Sequence, residues 1–253
     1  MAEEEKIREH VKQALEALTD KKKKWTERLR DFLWEILIII IAVNITIWFH
    51  SWSDKRHDIV LEKNFLIGTK DDLNNIKTDL NVFSEYYQPT IDYYDSVWTQ
   101  INEHRINKAF VDTNSLKLLA ANPFAYDNSR FESFKSSGYL RLIENEALSK
   151  DITKLYSLLQ IQVGHDESFF NERRQEYITY IGSKIQIDSS GKMYVSEILN
   201  NPDVKFQIFF QRGALMENYQ MKQDLLQEIE AVINEIDQEL KTRFKYEVKN
   251  PNR

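Results

Sequence analysis

Along this chain the apolar positions change their spacing once, and that change divides it. From Phe32 to Trp52 (FLWEILIIIIAVNITIWFHSW) apolar residues cover every face, with no polar residue from Ile36 to Val43. A helix of that length, rising about 1.5 Å per residue, spans roughly the 30 Å hydrocarbon core of a bilayer. Trp34 near one end and Trp48 and Trp52 at the other are interfacial anchors, because indoles favour the headgroup level. The stretch is therefore predicted to be a transmembrane helix rather than a buried soluble one. Its length, its distance from Met1 and the missing small-x-small motif after it argue against a cleaved signal peptide.

Beyond the span the apolar positions fall at helical spacing. Ile59, Leu66, Leu73, Leu80 and Tyr87 recur every seven residues, with Ile76 and Phe83 in the neighbouring seam. This predicts a long helix, continuous with the span, weakest at Gly68 and ending before Pro89. Ile91, Tyr94, Val97, Trp98 and Ile101 predict a second helix that folds back at Gln88-Pro89 and runs to Phe110. The pattern loosens from Val111 to Asn128, with Asn122-Pro123 as a turn. Phe131–Ile143 follows as a short helix broken at Ser136-Ser137-Gly138. Leu148, Ile152, Leu155 and Leu159 mark a helix over Glu144–Val163 with Gly164 at the cap position, and another is predicted over Glu167–Ile181. Gly182–Lys192 reads as a loop or small hairpin, the best candidate for any strand. Asn201-Pro202-Asp203 opens the last long helix. There Leu215, Tyr219, Leu226, Ile229, Ile233, Ile236 and Leu240 form a second heptad seam, weakened at Lys222, that pairs naturally with the first.

The expected fold is all-α: one N-terminal transmembrane helix followed by an extended antiparallel helical bundle. Its segments are a cytoplasmic amphipathic and basic stretch (1–31), the span (32–52), an extracytoplasmic bundle (53–245) and a frayed tail (246–253). Composition agrees: 6 Gly and 4 Pro among 253 residues leave few helix breakers. The net charge of −6 argues against nucleic-acid binding, which normally needs a basic face. With no Cys, disulfide frameworks, thiolate zinc sites and Cys nucleophiles are excluded together.

Charge also orients the span. Lys21, Lys22, Lys23, Lys24, Arg28 and Arg30 precede it, whereas Lys55, Arg56 and Lys63 follow. The heavier cationic flank stays in the cytoplasm, which predicts a cytoplasmic N-terminus and, in a bacterial inner membrane, a periplasmic C-terminal domain. Ile7, Val11, Ala14, Leu15 and Leu18 share a stripe before those lysines. That prefix is either a membrane-surface helix continued by lysines against anionic lipid or a solvated helix whose lysines only fix topology.

Within the span, offsets of seven and eleven put Glu35, Ala42 and Thr46 on one helix face, with Asn44 opposite. Ala42-x-x-x-Thr46 is a small-xxx-small pair that lets helix backbones approach in lipid, so this face is the candidate membrane-helix interface. The alternative is that Glu35 reaches the near interface while Thr46 bonds its own backbone.

The segment Trp34-Glu35-Ile36-Leu37-Ile38-Ile39-Ile40-Ile41-Ala42, continuing through Thr46 to Trp52-Ser53-Asp54, resembles an uncharacterised family of single-span bacterial membrane proteins common in the Bacteroidota, a domain of unknown function. Members carry a Gly-Glu-Ile opening, an aliphatic run with Gly-x-x-x-Ala-type spacing and a closing Trp-Asn-Glu. Glu35 and Trp52 match; Trp34, Ala42, Thr46 and Ser53-Asp54 depart. A second block, Phe131 to Ile143 with Ser136, Ser137 and Gly138 at its centre, is similar to the family's Leu-Lys-Ser-Ser-Gly-x-Leu-x-x-Ile. The resemblance implies a family and a membrane, and no activity.

Catalytic signatures are missing: there is no Gly-rich phosphate loop, His-Glu-x-x-His or Gly-x-Ser-x-Gly. His50 and His57 lie seven apart on one face and with Asp54 offer a metal or pH site, but two imidazoles close no ligand set. His104 with Glu103, and His165 with Asp166 and Glu167, are adjacent pairs whose members point to different sides of a helix. Ser136-Ser137-Gly138 offers either free amides for an anion or a left-handed glycine ending one helix with a serine capping the next. No catalytic residue, metal ligand or cofactor is therefore expected. The reading is a non-enzymatic, membrane-anchored interaction or sensory module acting by helix–helix association, with the lipid bilayer and either a homo-oligomer or a membrane protein as partner. The alternatives are an oligomeric pore or transport-accessory subunit using Glu35 and Asn44, and an extracytoplasmic enzyme assembled from distant acids.

Overall fold

The computed structural model describes residues 2–119 and 124–246, and among these the protein is all-helical. Six α-helices follow one another: α1 (Ala2–Asn102), α2 (Lys108–Thr113), α3 (Ser129–Ser136), α4 (Glu146–Leu159), α5 (Asp166–Gly182) and α6 (Pro202–Thr242). Short 3-10 turns lie at Ser115–Leu119, Tyr139–Leu142 and Val195–Glu197. The chain divides into two compact units, Met1–Val60 and Leu61–Arg253. The expected turn at Asn122-Pro123 and the tail from 247 onward lie outside the described residues, as do the side chains of Ile7, Val11, Ala14, Leu15 and Leu18.

In the second unit the two heptad seams meet. Leu66, Leu73, Ile76, Leu80, Phe83 and Tyr87 of α1 are buried, and so are Leu215, Ile229, Ile233, Ile236 and Leu240 of α6. The polar rungs beside them fix direction and register. Lys70 pairs with Asp237 (2.5 Å), Lys77 with Glu230 (2.6 Å), and the Gln223 amide donates to the Ser84 hydroxyl (2.6 Å). Each step of seven up α1 is a step of seven down α6, so the two segments run antiparallel at a heptad repeat. Asp95 and Arg212 continue the ladder. Lys222, read from sequence as a weak point, is buried with its ammonium 5.2 Å from the Phe83 ring centroid. The face of an aromatic ring attracts a cation, which reduces the cost of enclosing it. Ile59, the first residue of the predicted stripe, is exposed: it precedes the body that begins at Leu61.

Three boundaries differ from expectation. α1 does not end before Pro89 but passes through it to Asn102, so no second helix folds back at Gln88-Pro89. A proline inside a helix costs roughly 3 kcal/mol. The next turns bury Ile91, Tyr94, Val97 and Ile101, at about 1.5–3 kcal/mol for each large apolar side chain, and that outweighs it. α1 stops short of Phe110, at Asn102, where His104 takes a left-handed conformation (φ 53°) and the chain turns towards α2. Gly164 does not cap α4 either: it lies inside a π-helical turn, Gln160–His165, through which the chain passes into α5. A π turn keeps the backbone hydrogen-bonded while absorbing an irregular residue, so no cap is required.

The remaining elements pack on this pair. Ion pairs and hydrogen bonds tie α4 to α6 (Lys154 to Glu228, Asn145 to Glu239). α3 inserts Phe131 and Phe134, which stack on Tyr156 (4.1 Å) and Phe65 (3.7 Å) respectively. Asn201 caps α6 by accepting from the Asp203 and Val204 amides, as its sequence predicts. Gly182–Lys192 forms no strand: one isolated antiparallel bridge, Ile187 with Met193, closes around Asp188.

Candidate functional site

The first unit carries one stretch long and apolar enough to cross a membrane, near the N-terminus, and none of its apolar window is buried within the chain. Trp34, Trp48 and Trp52 are 58%, 62% and 45% exposed. Trp48 and Phe49 meet edge to face at 5.3 Å, and the Arg56 guanidinium lies 4.3 Å from the Trp52 ring centroid. The helix brings Glu35, Ala42 and Thr46 to one exposed face. The Thr46 hydroxyl donates to the Ala42 carbonyl (2.9 Å), and the Asn44 amide, on the opposite side, donates to the Ile40 carbonyl (2.7 Å). The Thr46 hydroxyl and one N–H of Asn44 are thus bonded within the helix itself, which lowers the cost of placing them in lipid. His50 pairs with Asp54 (3.0 Å); His57 does not join them in a metal-binding group, and no such group of three occurs among the described residues.

In the second unit, Ser136, Ser137 and Gly138 perform a structural task. Gly138 takes a left-handed conformation (φ 71°) that ends α3 and opens the next 3-10 turn, the backbone state a side chain resists. The Ser136 hydroxyl returns to the Ser133 carbonyl (3.1 Å), and Ser137 closes α3 through its N–H; neither serine side chain caps the following turn. The block Phe131–Ile143 around them packs into the body, since Phe131, Phe134 and Ile143 enter the core.

The groups that sequence reasoning missed are long-range. Glu62, 1% exposed, accepts from the Glu144 amide (3.0 Å) and from Arg243, whose guanidinium also reaches Glu144 (2.5 Å). This network ties the start of the body to the end of α6. Asp112, buried, accepts from the Ser196 amide (2.8 Å) and hydroxyl (3.0 Å). Tyr93 and Tyr94 donate to the Val111 and Leu118 carbonyls (2.9 and 3.1 Å), and buried Arg174 donates to the Leu119 carbonyl. Burial pushes the phenols of Tyr93, Tyr94, Tyr156 and Tyr177 well above their ordinary range. The Ser190 hydroxyl, with the Lys192 amide and the Tyr194 hydroxyl, holds the Asp188 carboxyl far below the usual carboxylate range. The Asp188 contacts are local, within the Asp-Ser-Ser-Gly turn of the predicted loop; no local motif marks Glu62, Asp112 or Arg174.

No family model, curated protein or solved structure matches the chain.

The arrangement of polar groups bears on chemistry. A cleft of about 550 Å³ is lined by His104, Ile106, Lys108, Ser196, Glu197 and Asn200. Its one hydroxyl, on Ser196, is buried and donates to Asp112. A second groove of about 480 Å³ lies between α5 and α6, walled by Tyr177, Tyr180, Phe206 and Phe210. Glu103 and His104 lie not on a helix, the expectation from sequence, but in the turn beyond α1, where His104 is left-handed. The side chains of His165, Asp166 and Glu167 lie outside the described residues.

Proposed function

We propose that this chain is a membrane-anchored, non-enzymatic helical module that acts by helix–helix association. Phe32–Trp52 is the anchor in a bacterial inner membrane, residues 1–31 are cytoplasmic, and the antiparallel helical bundle of 53–245 is periplasmic. One observation carries this reading: the apolar window finds no neighbour within its own chain, whereas the seams of the second unit are closed by its own helices. An apolar surface of that extent needs lipid or another span around it. The face bearing Glu35, Ala42 and Thr46 is where a second span would approach most closely, in a homo-oligomer or with a membrane protein partner.

The test is in-cell photocrosslinking from position 42, together with the mass of the detergent-purified full chain. A crosslinked homo-oligomer or a captured membrane protein is expected. A strictly monomeric chain that crosslinks to nothing refutes the association. Orientation has its own test: a cysteine placed near Arg253 should label in cells with a permeable outer membrane and an intact inner one. Labelling only after the inner membrane is disrupted would put the C-terminus inside.

A further inference from the structure

The anchor's apolar surface does not stop at Phe32. α1 is helical from Ala2 onward, and Trp25, Leu29, Phe32 and Ile36 are all exposed, at 69%, 46%, 57% and 37%. At the helical angle per residue these four positions fall within an arc of about 60°. They make one apolar stripe that enters the span from the basic segment. The charges around it are sorted. Lys21, Lys22 and Arg28 occupy positions within about 60° of Trp25, while Asp20, Glu27 and Asp31 occupy positions at least about 120° away. Lys23 and Arg30 share the far face with those acids, and Lys24 lies at about 100°, between the two faces, so the cations on the Trp25 face are the ones with no acid beside them. A helix that only fixed topology would have no need to place its acids on the face opposite its tryptophan.

Axial position selects the partner. At about 1.5 Å per residue, Arg28 lies roughly 6 Å and Lys21 roughly 16 Å before Phe32. Arg28 is then level with the headgroups. Lys21 and Lys22 stand just beyond them, within about one Debye length of the phosphate layer. An indole, an aliphatic stripe and flanking cations with acids behind match a surface that is apolar below and anionic above.

We propose that residues 21–33 form an anionic-phospholipid site on the cytoplasmic side of the anchor, which draws phosphate-bearing, net-negative headgroups against the Trp25 face. This rests on reading Phe32–Trp52 as a membrane span. Tilt of the helix turns the Trp25 stripe towards the bilayer, on the arc where positions 21, 22 and 28 also fall.

The experiment uses the full chain, with Trp34, Trp48 and Trp52 replaced by Phe, in vesicles of phosphatidylcholine containing a minor fraction of phosphatidylglycerol. Quenching of Trp25 by brominated phosphatidylglycerol is compared with quenching by brominated phosphatidylcholine, and the Trp98 background is taken from the additional Trp25→Phe variant. The expected result is an enrichment of phosphatidylglycerol at Trp25 of about fivefold, within what three cations near an anionic surface supply. Lys21→Gln/Lys22→Gln/Arg28→Gln should abolish most of it. Lys23→Gln/Lys24→Gln/Arg30→Gln removes equal charge from the other arcs and should retain most of it. Equal loss from both triple variants, or no enrichment in a chain that resists carbonate extraction, overturns the lipid site. A chain that carbonate extracts overturns the anchor reading instead.

Discussion

Arg243→Leu tests the network at the end of α6. Glu62 is 1% exposed and keeps its charge company through Arg243 and the Glu144 amide. Removing one partner of a buried pair costs about 3–5 kcal/mol, because the other charge is left enclosed. Arg243 itself is 26% exposed at its side chain and Glu62 retains the Glu144 amide, so the lower end applies, about 3 kcal/mol. The loss also leaves Glu62, Glu144 and Glu239 without the cation they share. For a body of this size the melting temperature should fall by about 6–12 °C, read by far-ultraviolet circular dichroism of the full chain in detergent. The decisive comparison is Glu62→Gln/Arg243→Leu. Neutralising the stranded carboxylate should recover about half of the loss, so the double variant should be more stable than Arg243→Leu alone. A cost below about 0.5 kcal/mol for Arg243→Leu, or a double variant less stable than the single, would refute the reasoning.

Other perturbations probe separate features. The raised phenols of Tyr93, Tyr94, Tyr156 and Tyr177 contribute stability that is complete below about pH 10 and is lost as pH climbs towards their folded values. The loss is about 1.4 kcal/mol per pH unit for each, so Tyr94→Phe should make the alkaline fall in melting temperature shallower by one such step. Native protein whose tyrosines all titrate near pH 10 without unfolding would contradict the burial argument. Pro89→Ala restores an N–H facing the Glu85 carbonyl within α1 and should stabilise by about 1–2 kcal/mol in denaturant titrations; a destabilised variant would mean the helix needs the proline. Gly68 has the Arg130 guanidinium, paired with Asp72 at 2.7 Å, in the space a β-carbon would fill. Gly68→Ala should therefore be nearly neutral alone yet stabilise by about 1 kcal/mol in an Arg130→Ala background; equal effects in both backgrounds would refute the contact.

What sequence alone determined is what local spacing controls. The all-helical class, the apolar stretch from Phe32 to Trp52, the seams through Leu66–Tyr87 and Leu215–Leu240, and the Asn201 cap all follow from periodicity or from a side chain within three residues of its target. The tertiary structure decided the rest, because each outcome depends on a group far along the chain. Pro89 reads as a break until the burial of Ile91, Tyr94, Val97 and Ile101 outweighs its missing hydrogen bond. Lys222 reads as a flaw until Phe83 from the antiparallel helix covers its ammonium. Glu62, which no local pattern singles out, is enclosed beside Arg243 from the other end of the body. Local spacing sets which residues share a face; only packing sets what that face meets, and in a low-dielectric interior the partner decides whether a charge or a proline can stay.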